Sequence, residues 1–279
     1  MKRNALIAIL AFAAAQPALP ACSNSTLRGT YGLDGSGAIY PPPVGPIPPV
    51  VGPFVRVGAV HFDGAGVVEY DTFSSYNGIV TAEPYVGNYT VGPDCKYTYH
   101  AVLPPPINLP TTFSGYVSEN GDRVDYMLVS PDGAGVRATL TRQPKARCQT
   151  RDLVGIYALG SFGTLVPPYP INGPFVRMGT MTNSIDSSGI PYGNNPTGKF
   201  TLTAMTNYSG GNVLETIAGT YFVEEDCKVR FDYDDPAGAG PSRMSGIVVN
   251  GNKQVIFMIS AKTVPAISGV VVSGTMTRQ

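Results

Sequence analysis

Four charged residues are the best placed in this chain to do chemistry: Arg56, Glu83, Arg177 and Glu215. A glutamate held away from water can serve as a general acid or base. An arginine beside it can neutralise it or grip a polar group. Side chains alternate in direction along a β-strand. That alternation puts Arg56 on one face with Phe54, Val60 and Phe62, and Glu83 on one face with Tyr85, Tyr89 and Val91. Asn88 and Thr90 take the opposite face. Farther along, Arg177 shares a face with Phe175 and Met181, and Glu215 with Ile217, Tyr221 and Val223. A charge on such an inward face is either paired or touching a polar ligand. We expect Arg56–Glu83 and Arg177–Glu215 each to meet inside. Arg56, Glu83, Tyr89, Arg177, Glu215 and Tyr221 form the candidate binding set, read either as ligand anchors or as structural ion pairs.

Other chemistry is sparse. The chain has no Gly-x-Ser-x-Gly, no P-loop, no His-Glu-x-x-His and no complete dinucleotide fingerprint. His61 and His100 are matched in the second half by Thr182 and Asp232, so they read as tolerated strand residues. Asp232, Asp234 and Asp235 lack the spacing of a calcium-binding loop and read as a solvated turn. Asp63, Asp186, Asp94 and Asp226 suit turns, where a carboxylate bonds local amides. Lys96 and Lys228 are expected to face water. No catalytic residue, metal site or cofactor is assigned.

The elements that position these residues come in duplicate. Cys22 and "LRGTYG" (27–32) match Cys148 and "LVGIYA" (153–158). "GPFVRVG" (52–58) matches "GPFVRMG" (173–179), and "GNYTVGPDCK" (87–96) matches "GTYFVEEDCK" (219–228). "FSGYVSENGDRVDYMLVS" (113–130) matches "MSGIVVNGNKQVIFMIS" (244–260), and both copies end on Thr-Arg-Gln. Self-similarity of this kind marks repeated structural units. We divide the chain into a leader (1–21), a first unit (22–143), a linker (144–147) and a second unit (148–279).

Each unit reads as short strands between turn signals. In the first they are expected near 29–39, 54–62, 66–74, 79–91, 95–103, 112–118, 123–130 and 135–142, with tight turns such as Asn77–Gly78. The fold class is all-β: two tandem eight-stranded antiparallel up-and-down barrels, with paired β-sandwiches as the alternative. Closure into a barrel removes exposed edges. Seven of the 13 residues over 41–53 are proline, a stiff run unsuited to a central strand. It is either a strap across the barrel mouth or a tolerated linker, and "PPPINLP" (104–110) is a second such loop.

Four cysteines occupy matching places in the two units. Three pairings are open in principle; the duplication favours Cys22–Cys95 and Cys148–Cys227. The N-terminus reads "MKRNALIAILAFAAAQPALPAC", a basic start, an apolar stretch over 5–15 and small residues for cleavage. This is the pattern of a secretory signal peptide, so a secreted, periplasmic or cell-surface location is expected. Lipid anchoring through Cys22 is the less favoured alternative, because it would leave Cys95 without a mate. Removing Lys2 and Arg3 with the leader leaves 17 basic against 19 acidic residues, which argues against nucleic acid as a partner. No later apolar run is long enough for a transmembrane segment, and the oligomeric state stays open.

The pattern Cys … Leu-x-Gly-x-Tyr … Gly-Pro-Phe … Phe-Asp-Gly-x-Gly … Asn-Gly … Gly-x-Tyr-x-Val-x-x-Asp-Cys resembles a group of uncharacterised secreted bacterial tandem β-barrel proteins. It is carried here by Cys22, Leu27, Gly29, Tyr31, Phe54, Phe62, Asp63, Asn77, Gly78, Tyr89, Val91 and Cys95. The second copy departs from it at Phe-Asp-Gly and Asn-Gly. The architecture is similar to lipocalin-like and allene oxide cyclase-like barrels, in strand count only. The resemblance implies a fold and no activity. Three functions follow for testing: a binding module with a small apolar ligand in one or both lumens, a surface interaction module with filled barrels, and a barrel isomerase or cyclase using Glu83 or Glu215. A lumen above roughly 300 Å³ favours the first, and a plugged one excludes it.

Overall fold

The computed structural model describes residues 22–41, 50–105, 107–143, 147–186, 195–261 and 266–279. The expected leader, residues 144–146 of the linker, and 42–49 of the proline-rich run lie outside the described residues. The chain forms β1 (Gly29–Ile39), β2 (Gly52–Phe62), β3 (Val67–Tyr76), β4 (Ile79–Val91), β5 (Lys96–Val102), β6 (Pro110–Val117), β7 (Arg123–Ser130) and β8 (Ala134–Arg142). It continues with β9 (Gly155–Leu165), β10 (Gly173–Ile185), β11 (Gly198–Tyr208), β12 (Gly211–Val223), β13 (Lys228–Asp235), β14 (Gly240–Val249), β15 (Gln254–Ala261), β16 (Ala266–Ile267) and β17 (Val270–Arg278).

Sequential antiparallel pairing runs from β1 to β8, and β1 pairs back to β8 to close the first barrel. The second closes from β9 through β15 to β17 and back to β9. Both are meanders, as the turn spacing implies. Strand β3 alternates exposed and buried positions over most of its length, the signature of a strand with one face on a core. Asn77 and Gly78 turn with φ of 48° and 85°, the geometry of a two-residue hairpin. In the second copy Ser209 and Gly210 take 51° and 99°. The departure from Asn-Gly therefore leaves the turn unchanged.

One end of each barrel is plugged. Short 3-10 turns at Asn24–Thr26 and Thr150–Leu153 run across it, and Leu27, just after the first, and Leu153, the last residue of the second, are fully buried in the two cores. Disulfides Cys22–Cys95 and Cys148–Cys227 tie each turn to the connection after β4 or β12, with Cα atoms 5.0 and 4.9 Å apart. Among the described residues no cysteine is free. Two disulfides fit an extracellular or otherwise oxidising compartment. No described helix is long and apolar enough to cross a membrane.

The barrels also pack on one another. Val55, Val57 and Val80, on the outside of the first barrel, form a cluster with Ile247, Val249, Ile256, Met258 and Val271 on the outside of the second. Gly32 permits this approach: a Cβ there would lie 2.3 Å from Val249 Cγ1. The Ser75 hydroxyl donates to the Val270 carbonyl at 2.7 Å, and β16 pairs with the edge of β4. Lys228, expected to face water, instead pairs with Asp71 of the first barrel as well as Asp226, because the first barrel packs over it.

Candidate functional site

Strand register brings each arginine to its glutamate. Arg56 on β2 sits opposite Ser74 on β3, and Glu83 on β4 sits opposite Thr72, so the two side chains meet over β3. Arg177 opposite Thr206 and Glu215 opposite Ala204 repeat the arrangement. Both pairs lie inside, toward the end of the barrel away from the disulfide. Arg56 is 6% and Glu83 0% exposed; Arg177 is 3% and Glu215 7% exposed. Both are therefore buried ion pairs.

The hydrogen bonds differ in detail. Arg56 contacts Glu83 through Nη2, and donates from Nε to the Ser74 hydroxyl at 2.8 Å and from Nη2 to the Tyr76 hydroxyl at 2.7 Å. Its Nη1 donates to the Tyr85 hydroxyl at 2.9 Å. Ser74 donates to Glu83 Oε2 at 2.6 Å, while Glu83 Oε1 has no partner. Arg177 Nη2 contacts Glu215 Oε2 and the Tyr208 hydroxyl, each at 3.0 Å, and Nε donates to Thr206 at 3.0 Å. Here both carboxylate oxygens are satisfied, Oε2 by Thr206 and Oε1 by Tyr208, each at 2.6 Å.

Burial opposes the charge on Arg56, but the Glu83 carboxylate and the Tyr76, Tyr85 and Tyr99 hydroxyls outweigh it. The guanidinium is held above its ordinary pKa. Arg177 is raised as well: burial again opposes, and Tyr233, Tyr208, Glu215 and Asp235 overcome it. Both arginines therefore stay charged.

Tyr89 and Tyr221 do not join these clusters. The Tyr89 hydroxyl donates to the Asn24 and Leu27 carbonyls at 3.0 and 3.1 Å, and Tyr221 to the Thr150 carbonyl at 3.3 Å. They sit at the plugged end and pin the turn that closes it. The residues that do complete the clusters, Ser74 with Tyr76 and Thr206 with Tyr208, recur in both copies as Ser/Thr-x-Tyr just before a turn. That repeat was the available signal.

The three aspartates expected in a solvated turn instead lie on β13, paired with β14, and two of them find protein partners. Asp232 accepts from Arg243 at 2.7 Å, and Asp235 accepts from the Tyr169 hydroxyl at 3.0 Å. Among the described residues no group of three or more metal-binding side chains forms.

Above Arg56 the first barrel contains a cavity of about 70 Å³. Its apolar wall includes Leu33, Ile39, Phe54, Phe113, Leu128 and Ala138; Arg56, Tyr76, Tyr85, Tyr99, Thr111 and Tyr126 supply polar groups. Leu103, Ile107 and Leu109, from the second proline-bearing loop, form its lid, and the exposed Pro131 and Asp132 mark its rim. The lid folds back on itself through a Leu103 N–H to Leu109 carbonyl bond of 2.9 Å. Tyr99 faces the Tyr85 hydroxyl without hydrogen-bond geometry, so its buried hydroxyl is unpartnered. Away from the plug the first lumen is therefore not filled, but its cavity is well short of the ~300 Å³ that encloses a drug-sized molecule.

No family model and no curated protein matches the chain. Among solved structures, a Myxococcus xanthus hemagglutinin in complex with a mannopentaose is 11% identical, covers 90% of this chain and 99% of its own, and has a TM-score of 0.17. A likeness at that score carries no argument about fold or function.

Proposed function

We propose that the protein is an exported binding module that takes an apolar end group, such as the last methylenes of an alkyl chain, into the mouth of its first barrel. The observation that carries this reading is the cavity between two separate core clusters of that barrel, apolar in its walls and floored by Arg56 and an unpartnered Tyr99 hydroxyl. At about 70 Å³ it suits part of a ligand, with the remainder leaving past Asp132. Export rests on the leader pattern and the two disulfides.

The enzyme reading has weaker support. Glu83 is fully buried behind Arg56 and does not line the cavity, and Glu215 has both oxygens engaged. Neither carboxylate is offered to a substrate.

The test is calorimetric titration of the purified chain with 1-octanol. Wild type should bind saturably. Ala138→Phe, which fills the cavity, should abolish binding while the protein still melts cooperatively. Absence of saturable binding to wild type, or unchanged binding to Ala138→Phe, would remove the proposal.

A further inference from the structure

The contact between the two barrels uses a different face of each. The first barrel contributes the outside of β2–β4, with Val55 4%, Val57 1% and Val80 0% exposed. The second contributes the outside of β14, β15 and β17, with Ile247 0%, Ile256 3% and Met258 0% exposed. The arrangement is head to tail. In a duplicated chain, each face has a counterpart on the other barrel that this contact does not use.

Repeat register identifies the counterparts. Val55, Val57 and Phe73 correspond to Val176, Met178 and Met205. The pairings agree: Val57 lies opposite Phe73, and Met178 opposite Met205. Ala82, opposite Phe73, corresponds to Leu214, opposite Met205. On the second barrel this face is bare, with Val176 45%, Met178 66%, Met205 52% and Leu214 70% exposed, and Phe162 beside Val176 54% exposed. Ile247, Ile256 and Met258 correspond to Tyr116, Asp125 and Met127, again in matching register. Tyr116 is 64% and Met127 56% exposed. Two replacements are polar: Asp125, already paired with Arg123 on its own strand, and Ser118, which stands where the second barrel has Val249.

We propose that copies of this chain associate head to tail, the β10–β12 face of one on the β6–β7 face of the next, repeating the contact that joins the barrels within a chain. Large side chains bared together on a sheet face mark an interaction surface. The occupant is identified by continuity: the face that Val55 and Val57 cover within the chain has its unfilled homologue at Tyr116 and Met127. A contact between two different faces yields a ring where its rotation closes and an open chain where it does not. Asp125 makes the contact between chains more polar than the one within a chain. We therefore expect it to be weaker and dependent on concentration.

Sedimentation velocity of the oxidised full chain tests this with two surface variants, Met178→Glu and Met127→Glu. Wild type should grow beyond dimer as concentration rises. Each variant alone should sediment as monomer, with unchanged melting. Their equimolar mixture should stop at twice the monomer mass, because one intact face remains on each. Wild type that is monomeric at every concentration overturns the proposal. So does self-association that Met127→Glu leaves intact, which would mean a patch-on-patch dimer. Monomeric wild type whose binding to phosphatidylglycerol vesicles is lost in Met178→Glu would reassign the face to membrane.

Discussion

The two barrels share strand register, plug, disulfide and buried arginine–glutamate pair, yet their lumens differ in content. Tyr70, Tyr85, Tyr97, Tyr99 and Tyr126 of the first are replaced in the second by Leu202, Ile217, Val229, Phe231 and Phe257. The second core is one continuous cluster, from Leu153 at the plug to Tyr169 at the mouth. The first is divided into two clusters with the cavity between them. Tyr169 descends from the β9–β10 connection to meet Asp235, whereas the first barrel is lidded by the loop after β5. Position 138 shows the difference locally. Ala138 borders open space; at its counterpart Gly274, a Cβ would lie 2.4 Å from the Gly160 carbonyl oxygen. Duplication kept the frame in both copies and changed the side chains that fill it.

The largest effect should come from the ion pairs. Arg56→Met leaves the Glu83 carboxylate buried without its counter-charge, and should cost about 3–5 kcal/mol in urea unfolding. Arg177→Met should cost less, since Glu215 retains Thr206 and Tyr208. Equal losses would show that the two clusters are energetically alike. The double variant Arg56→Met/Glu83→Met should recover most of the loss, because a hydrophobic replacement of a buried pair is often neutral.

The plugs should not distinguish the barrels. Cysteines 73 and 79 residues apart close loops of nearly equal length. Cys22→Ala/Cys95→Ala and Cys148→Ala/Cys227→Ala should each cost about 4 kcal/mol in the chain-entropy model. A much smaller loss in one barrel would mean that its plug is held by other contacts.

Alkaline pH should separate them again. Burial pushes the Tyr31 and Tyr89 phenols up to about 12, and raises Tyr70, Tyr97, Tyr99 and Tyr126 further. A raised phenol pKa means that the folded state holds its proton more tightly than the unfolded chain. The stabilisation is therefore complete below about pH 10 and is lost as pH rises through about 12. Among the described residues the first barrel has eight phenols raised by burial and the second five, Tyr157, Tyr169, Tyr208, Tyr221 and Tyr233, so the first should unfold at lower pH, as followed by tyrosinate absorbance against circular dichroism. Simultaneous unfolding would show that the interface couples them fully. The smallest effect belongs to that interface: Asp71→Asn removes one partly exposed ion pair to Lys228 and should cost less than about 1 kcal/mol.

Much of this was legible in the residues. Strict alternation put Arg56 with Phe54 and Glu83 with Tyr85 on the inner face, and the strands themselves fell within two residues of expectation. The doubled Cys spacing selected the pairing seen. The barrel–barrel contact was harder to read because β2 is apolar on both faces: Val55 and Val57 alternate with Phe54 and Arg56. Such a run signals a strand buried on both sides, but it does not name the partner surface. Tyr89 and Tyr221 share the inward face with the glutamates, and parity alone could not show that they lie at the plugged end. Cavity volume depends on how large side chains from all eight strands interlock, which no local pattern encodes.

The most direct test is a crystal structure of the protein under xenon pressure, since xenon enters dry apolar cavities. Xenon should occupy the first barrel beside Phe113, Leu128 and Ala138, and be absent from the second lumen. A first barrel without xenon, or equal occupancy in both, would contradict the division into a receptive and a filled copy.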